Sequence, residues 1–251
     1  MKTDQVAQRF AQAQSSYEQH AIAQRRVAME LVQYMQAHIP VNLQRILEIG
    51  CGSGLFTRQL MQHYSFDQLF LNDLYPEVKQ HFEEDGRIYW GIGNIETLPL
   101  PQSLDLVVSC SALQWVQHLD ALFGKIHQAL NPSGWFCFAS YAHDNLTEIK
   151  ALTGQGLEYH SLPQMVELLE SCGYEVLMQE EQRLILEFEH PREVLKHIKA
   201  TGVQATADGF RWSKSSLRLF YEQYQQFQLP DDSQKYPLTY HPIYLIARKR
   251  S

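Results

Sequence analysis

The sequence predicts an α/β fold, an open and doubly wound sheet with a helix before it and a helical insertion before its last strand. Between residues 45 and 141, short runs rich in Val, Ile, Leu and Phe alternate with segments of helical periodicity. Runs without polar alternation are expected of parallel strands covered on both faces, and repeated strand–helix alternation indicates βαβ units. With 251 residues, 45% of them hydrophobic, the chain is long enough to bury one full core. We expect one domain over 1–251, with an N-terminal helical cap at 1–40 and a helical lid at 190–235.

The first half of the chain supplies most of the sheet. Residues 4–37 contain no Gly or Pro and are rich in Ala, Gln and Glu, so they are predicted to form a helix that ends before Pro40. Strands are predicted next at 45–49, 69–73, 88–91, 104–110 and 134–141. Helices are predicted between them at 55–63, 75–84 and 119–130, the last one closed by the turn residues "NPSG".

The second half has a different pattern. A helix is predicted at 162–171, followed by one long strand over 174–188. Two further helices, at 192–201 and 213–228, precede a last strand at 242–248. The segment 190–235 is therefore interpreted as an insertion before the last strand, placed to cover the carboxyl edge of the sheet.

Composition excludes several classes of function. The net charge of −7 argues against general nucleic-acid binding. No apolar stretch approaches the roughly 18 residues of a membrane span, and the polar first residues lack the apolar segment of a secretory signal. The four cysteines contain no CxxC pair, so buried free thiols are expected rather than metal ligands. A reducing, cytoplasmic location fits these features best.

A glycine loop follows the first predicted strand. "LEIGCGSG" places Gly50, Gly52 and Gly54 at alternate positions. A dinucleotide fingerprint would need a further glycine where this chain has Thr57, and no Lys-Ser/Thr pair follows, as a P-loop would require. The loop therefore favours a nucleoside ligand without a pyrophosphate, and a nicotinamide-dependent dehydrogenase is disfavoured.

An acidic residue at the end of the second strand supports the same ligand class. Asp73 lies 19 residues beyond Gly54. A carboxylate at that distance from a glycine loop can accept hydrogen bonds from both hydroxyls of a ribose.

Three ordered motifs resemble those of class I S-adenosylmethionine-dependent methyltransferases. They are "LEIGCGSG", "LFLNDLYPEV" and "GNIETLPLPQSLDLVVSCSALQWV", together covering most of residues 40 to 141. The resemblance implies a Rossmann-like sheet of seven strands and S-adenosyl-L-methionine as the cofactor. It also implies that Glu48 and the backbone of Gly50, Gly52 and Gly54 face the methionine end of this molecule.

The same resemblance assigns the adenosine end. Asp73 would hold the ribose, with Leu74 against the adenine, while Asn94 and Ile95 would meet the adenine edge. Ser109 would line the pocket of the sulfonium. Asn94 departs from the Asp that is frequent in the family, but its side-chain oxygen can still accept a hydrogen bond from the adenine amino group.

Further segments are similar to a narrower group, the malonyl-acyl-carrier-protein O-methyltransferases of biotin synthesis. They are "RFAQAQSSYEQHAIAQ", "SALQWVQHLDALF", "HIKATGVQA" and "YHPIYLIARK". The resemblance then runs over nearly the whole chain. It implies methyl transfer from S-adenosyl-L-methionine to the free carboxylate of a malonyl group on acyl carrier protein, with malonyl-coenzyme A as an alternative acceptor.

The expected chemistry needs no general base and no metal. A carboxylate acceptor is ionised at neutral pH, so it requires orientation and desolvation rather than deprotonation. The sequence contains no convincing His–Asp pair, and His118, His143 and His160 are interpreted as structural or surface residues.

The carboxylate does need a cationic partner, and the candidates are Arg192, Lys199 and Arg211. Tyr17 resembles a position of the narrower group that is expected to close over the active site, and it is the fourth candidate for substrate binding. Residues 191–220 carry six Lys or Arg against two acids, whereas the rest of the chain has a net charge of −11. This basic segment is either a solvated helix face or a docking surface for an acidic carrier protein.

Two alternatives stay open at this point. The enzyme could methylate another small carboxylic acid, which would need no docking surface. The chain could also bind S-adenosylmethionine as a sensor without transferring its methyl group.

Overall fold

The computed structural model describes residues 20–201, 213–230 and 234–250. The strands in these residues are β1 Arg45–Ile49, β2 Gln68–Asp73, β3 Ile88–Ile92, β4 Leu104–Cys110, β5 Leu130–Tyr141, β6 Tyr174–Glu181, β7 Leu184–Phe188, β8 Tyr236–Tyr240 and β9 Pro242–Lys249. The helices are α1 Ile22–His38, α2 Leu55–His63, α3 Leu119–Ala129, α4 Thr147–Thr153, α5 Leu162–Ser171, α6 Pro191–Ala200 and α7 Lys214–Tyr224. Short 3₁₀ turns occupy Pro76–His81, Leu113–Trp115 and Gln225–Phe227.

Seven of the strands form one sheet in the order β3–β2–β1–β4–β5–β9–β6. β3, β2, β1, β4 and β5 are parallel, and β9 runs antiparallel between β5 and β6. The order reverses at β1, because β2 lies on one side of it and β4 on the other. The predicted Rossmann-like, doubly wound sheet of seven strands is confirmed.

Helices cover both faces of this sheet. α1 and α2 bury Val27, Leu31 and Leu60 on one face, whereas α3 and α5 bury Phe123 and Leu169 on the other. Each of these side chains is fully buried. Burial of a side chain of this size contributes about 1.5–3 kcal/mol, so the two apolar layers fix which face each helix covers. No helix in the described part of the chain is long and apolar enough to cross a membrane.

A second, smaller sheet lies beside the main one. β7 pairs antiparallel with β8, and a separate apolar cluster joins this pair to α4, α6 and α7. Glu148 of α4 fastens β8 in place: its buried carboxyl group accepts hydrogen bonds from Thr239 Oγ1 (2.6 Å) and from Thr239 N (3.1 Å). The sequence-based division into a cap over 1–40 and a lid over 190–235 stays a prediction.

The predicted single strand over 174–188 is wrong. β6 pairs with β9 up to Glu181, and Gln182 N then donates to Pro242 O (3.0 Å) as the chain leaves the main sheet for β7. The partner strand β8 was not predicted, and it contains Pro237, a residue that argues against a central strand. In the described residues β8 pairs only with β7, and an edge position tolerates proline.

Three predicted boundaries also differ. The helix predicted at 75–84 is only the 3₁₀ turn Pro76–His81, flanked on both sides by extended residues. β5 already begins at Leu130, so the "NPSG" turn residues lie in the irregular first part of that strand. The helix predicted at 4–37 is interrupted at Ala21 (φ −76°, ψ 46°), and α1 begins after this break. Residues 4–19 of that prediction lie outside the described residues.

Candidate cofactor site

A cleft that opens to solvent lies at the carboxyl ends of β1, β2, β3 and β4. It lies at the point where the strand order reverses, which is where open α/β sheets bind ligands. Its walls come from α1, the glycine loop and the chain that follows β2, β3 and β4. The lining residues most relevant to function are Gln24, Glu48, Gly50, Gly52, Asp73, Leu74, Tyr75, Asn94, Ile95, Ser111 and Trp115.

The glycine loop is fastened to the end of β2. Gly50 N and Cys51 N both donate to Asn72 O at 2.9 Å. Gly52 N donates to Asp73 Oδ2 at 2.8 Å. These bonds hold the loop against the end of β2, and Asp73 both holds the loop and borders the cleft.

Each glycine of the loop has a left-handed backbone, with φ of +75° at Gly50, +52° at Gly52 and +76° at Gly54. A Cβ atom at Gly50 would lie 2.3 Å from the Ala112 Cβ, and one at Gly54 would lie 2.9 Å from the Phe82 ring. At Gly52 no atom lies within 4 Å of the corresponding position. Packing therefore requires glycine at position 50, a side chain at position 54 would have to displace the Phe82 ring, and the missing side chain of Gly52 leaves free space at the cleft.

Glu48 is a buried acid at the bottom of the cleft. Its residue is 1% exposed, and its Oε2 has no hydrogen-bond partner in the described residues. Burial, and to a smaller extent the neighbouring Asp73, raises the pKa of Glu48 to about 8. A buried acceptor without a donor is costly, so Glu48 is suited to a ligand that brings a cationic N–H group.

Asp73 stands at the end of β2, where the sequence predicted a ribose contact. Its Oδ1 accepts from Leu74 N at 2.7 Å, and its Oδ2 accepts from Gly52 N. Burial raises the pKa of Asp73, while backbone donors, including Tyr75 N, act in the opposite direction. A carboxylate offers about four acceptor sites, so Asp73 retains acceptor capacity for a ribose hydroxyl.

The chain after β3 forms the wall next to Asp73. Asn94 Oδ1 accepts from Glu96 N at 3.0 Å, which uses one of the two acceptor sites of that oxygen. Lys125 Nζ donates to Ile95 O at 2.9 Å, which ties this segment to α3. Asn94, Ile95 and Leu74 line the cleft together, as the sequence predicted, and their contact with an adenine stays a prediction.

Two predicted cofactor residues do not line the cleft. Ser109 is fully buried in β4, and its hydroxyl donates to Ile49 O of β1 at 2.9 Å, so it links two strands and is not among the residues that line the cleft. Ser111 borders the cleft instead; its φ is +60° and its hydroxyl lies 3.0 Å from Tyr141 Oη. Gly54 begins α2 and packs under Phe82.

The predicted substrate contacts are not brought to the cleft by the described residues. Arg192 and Lys199 are exposed on α6 and are absent from its lining. Tyr17 and Arg211 lie outside the described residues.

Sequence reasoning missed several lining residues, among them Gln24, Tyr75 and Trp115. Gln24 is the last residue of the quoted segment "RFAQAQSSYEQHAIAQ", and Trp115 lies within "SALQWV". Both motifs could therefore have suggested these residues, but neither has a glycine or an acid to mark it as a ligand contact.

Three side chains outside the cleft have donor atoms close enough to share a cation: His143, Asp144 and His241. In the structure these atoms already interact with protein groups. Arg183 pairs with Asp144, whose own N–H donates to His241 Nδ1 at 3.3 Å. The group is therefore described as an ion-pair cluster between the ends of β5 and β9.

Comparison with known proteins places this geometry in a family. Residues 47–138 match the model described as a methyltransferase domain. The chain is 49% identical to the malonyl-[acyl-carrier protein] O-methyltransferase of Acinetobacter baylyi, over 98% of this chain and 96% of that protein. The chain belongs to the malonyl-[acyl-carrier protein] O-methyltransferase family.

Two other matches complete the comparison. A protein of the same name from Bacteroides fragilis is 38% identical over 98% of this chain, which spans 50% of the length of that relative. The crystal structure of an S-adenosylmethionine-dependent methyltransferase from Mesorhizobium loti superposes with a TM-score of 0.54 at 18% identity, covering 86% of this chain and 96% of that one. At this identity the structural match shows the fold alone.

Alanine at two neighbouring glycines should have different effects on stability. Gly50→Ala adds a Cβ that overlaps Ala112, so we expect a loss of about 2–5 kcal/mol in the free energy of unfolding. The Cβ added by Gly52→Ala has no atom within 4 Å, so this variant should lose only the cost of a left-handed backbone, about 1–2 kcal/mol. Urea unfolding measures both values. Equal losses would show that Gly50 is not constrained by Ala112.

Glu48 should make the stability of the ligand-free protein depend on pH. Because its folded pKa of about 8 lies above the ordinary 4.5, the folded state keeps a proton that the unfolded chain releases. The free energy of unfolding should therefore fall between pH 4.5 and 8, by up to about 1.4 kcal/mol per pH unit. Glu48→Gln should make this slope smaller. Part of the slope should remain, because burial also raises the pKa of Asp73. Identical slopes in urea titrations of both proteins would contradict the burial of an ionisable Glu48.

Proposed function

We propose that this chain transfers the methyl group of S-adenosyl-L-methionine to the free carboxylate of a malonyl group on acyl carrier protein. The product is the malonyl methyl ester, which primes pimeloyl synthesis for biotin. The observation that carries the proposal is the 49% identity, over nearly the full length of both chains, to the Acinetobacter baylyi protein of that name. The cleft at the carboxyl ends of the strands supports it with suitable chemistry.

The residues of the cleft fit S-adenosyl-L-methionine. Asp73 retains acceptor capacity for the ribose hydroxyls, and the unpartnered Glu48 Oε2 suits the ammonium of the amino-acid end. Leu74 and Ile95 offer apolar surface to a purine. The free space at Gly52 lets a ligand approach the backbone of the loop closely.

The acceptor chemistry requires little of the protein beyond orientation. When bound, S-adenosyl-L-methionine supplies a methyl group activated by the positive sulfonium. A malonyl carboxylate is ionised near neutral pH, so one of its oxygens can attack without losing a proton. The described residues that line the cleft include no histidine that could act as a base. The chain then has two tasks, to align the carboxylate with the methyl group and to exclude water.

The anchor for the malonyl carboxylate belongs to this proposal. Among the described residues the cleft lining includes no Lys or Arg, and its acids are Glu48, Asp73 and Glu96. A partner for the carboxylate is therefore expected from a flanking segment. Tyr17 and Arg211 remain the candidates, since Arg192 and Lys199 lie on the exposed face of α6.

The basic segment gives the carrier protein a place to dock. Lys196 on α6 and Lys214 and Arg218 on α7 are exposed. Lys214 and Arg218 border a shallow groove between these helices, and Arg218 Nε also pairs with Glu222 at 2.8 Å. Exposed charges act mainly through the rate of encounter, so this surface would favour the approach of an acidic carrier.

Methyl transfer from labelled S-adenosyl-L-methionine tests the proposed reaction. We expect label on malonyl-acyl carrier protein, less on malonyl-coenzyme A and least on free malonate, because only the first acceptor can use the docking surface. Binding without turnover on any acceptor would favour a sensor of S-adenosylmethionine. Equal turnover of free malonate would favour a methyltransferase of small acids.

Charge reversal tests the docking surface separately. The triple variant Lys196→Glu, Lys214→Glu and Arg218→Glu should raise the KM for malonyl-acyl carrier protein and leave malonyl-coenzyme A nearly unchanged. High salt should produce the same effect in the wild type, since exposed charges are screened within about 8 Å at physiological ionic strength. Equal losses of activity on both substrates would indicate that one of these residues binds the malonyl carboxylate. No loss on either substrate would indicate that the segment is only a solvated helix face.

A further inference from the structure

The ion-pair cluster of His143, Asp144 and His241 lies at the corner between the two sheets. Two connections of the chain cross there, since residues 182–183 lead from β6 to β7 and His241 alone joins β8 to β9. Ala142 N, just beyond β5, donates to His241 O at 2.8 Å. The small sheet is therefore attached to the main sheet at this cluster.

The donor atoms of the cluster have the spacing of a metal site. His143 Nε2 lies 3.2 Å from Asp144 Oδ1, and His241 Nδ1 lies 3.8 Å from Asp144 Oδ2. Two ligand atoms that share a tetrahedral Zn²⁺ at about 2.0–2.1 Å lie about 3.3 Å apart. All three groups offer a ligand atom within 4.8 Å of the others, and the His143 side chain is 63% exposed. Rotation of exposed His143 can therefore bring the three atoms to bonding distance.

The hydrogen bonds of His241 determine its tautomer. Asp144 N donates to His241 Nδ1 at 3.3 Å, and because a backbone N–H can only donate, Nδ1 carries the lone pair. The proton is then on Nε2, which lies 3.4 Å from Glu181 Oε2. Burial lowers the pKa of His241, so its imidazole is neutral near pH 7. Metal-binding histidines have this arrangement, with one nitrogen available to the metal and the other N–H directed at a carboxylate.

A cation of the protein already pairs with the cluster. The guanidinium of Arg183 pairs with Asp144 Oδ2, the same oxygen that faces His241 Nδ1. The Arg183 side chain is 67% exposed, and an exposed ion pair contributes little to stability, so another cation can displace it. The described part of the chain contains no second group of His, Cys and acidic side chains with this proximity.

We propose that His143, Asp144 and His241 Nδ1 bind a divalent metal ion that prefers imidazole ligands, such as Zn²⁺, and that the Arg183 guanidinium takes its place when the metal is absent. Glu181 is the positioning residue that holds the His241 ring. The bound ion joins the end of β5 to the corner between β8 and β9, so it holds the small sheet against the main one. The site has no part in methyl transfer, and the proposal does not depend on the proposed function.

Isothermal titration of the metal-free full chain with zinc chloride tests this assignment. The wild type should bind one Zn²⁺ per chain. His143→Asn removes an exposed ligand without changing the core, and it should abolish this one-to-one binding. The matched control His160→Asn, also an exposed histidine, should bind as the wild type does. Absence of binding to the wild type, unchanged binding by His143→Asn, or equal losses in both variants would show that the proposal is wrong.

Two further variants test the roles of Arg183 and Glu181. Arg183→Gln removes the competing cation, so it should tighten Zn²⁺ binding about 2- to 5-fold, the range of an exposed ion pair. A merely structural ion pair would not give tighter binding when it is removed. Glu181→Gln should weaken binding at least about 10-fold, as loss of a carboxylate behind a metal-bound histidine does. Unchanged affinity in either variant would contradict the role given to that residue.

The visible spectrum of bound Co²⁺ gives a second measurement that leaves the buried His241 in place. Co²⁺ held by few ligands in a protein site absorbs far more strongly than the hydrated ion, because its geometry is no longer octahedral. We expect strong absorption in the wild type, lost on addition of one equivalent of Zn²⁺, and weak absorption in His143→Asn. A spectrum like that of hydrated Co²⁺ in the wild type would indicate an adventitious ion only, and the proposal would be wrong.

Hydrogen exchange measures the effect of the ion on the small sheet. Zn²⁺ should slow amide exchange in β7 and β8 of the wild type and leave exchange in His143→Asn unchanged, because an ion that joins the two sheets opposes their local opening. Equal exchange with and without Zn²⁺ in the wild type would contradict this effect. S-adenosyl-L-methionine is absent from all of these experiments, so their failure would leave the methyltransferase proposal unchanged.

Discussion

The attachment of the glycine loop to the end of β2 is the constraint on which the site depends. Asn72 O holds Gly50 N and Cys51 N, and Asp73 holds Gly52 N. Asn72 Nδ2 also donates to Gly91 O at 2.7 Å, which ties the end of β3 to the same point. Because these bonds join the ends of three neighbouring strands, the floor of the cleft is defined before any ligand enters, and little ordering is left for binding.

The electrostatics of the cleft follow from that framework. Burial raises the pKa of both Glu48 and Asp73, and the neighbouring Asp73 adds to the shift of Glu48. A ligand that brings positive charge stabilises the ionised form of these acids, and S-adenosyl-L-methionine carries both a sulfonium and an ammonium. The same acids would repel a malonyl carboxylate. We therefore expect the acceptor to be held by groups from outside the cleft floor, and the proposed docking surface would bring it to the opening.

Local patterns in the sequence were sufficient for the central sheet and the glycine loop. β1, β4, α2 and α5 have the predicted bounds, because each is a short periodic segment between clear boundaries. The inward-facing position of Ser109 and the small sheet of β7 and β8 were not predicted, since both depend on pairing with residues about 50–60 positions away in the chain. Gln24 was missed because nothing in its own segment marks it as a residue of the cleft.

A crystal structure with S-adenosylhomocysteine bound tests the central claim most directly, because it locates each end of the ligand. The account predicts the ribose hydroxyls about 2.7–3.2 Å from the Asp73 oxygens, the purine between Leu74 and Ile95, and the amino-acid end directed toward Glu48. A ligand bound outside this cleft, or in it with the ribose remote from Asp73, would contradict the account.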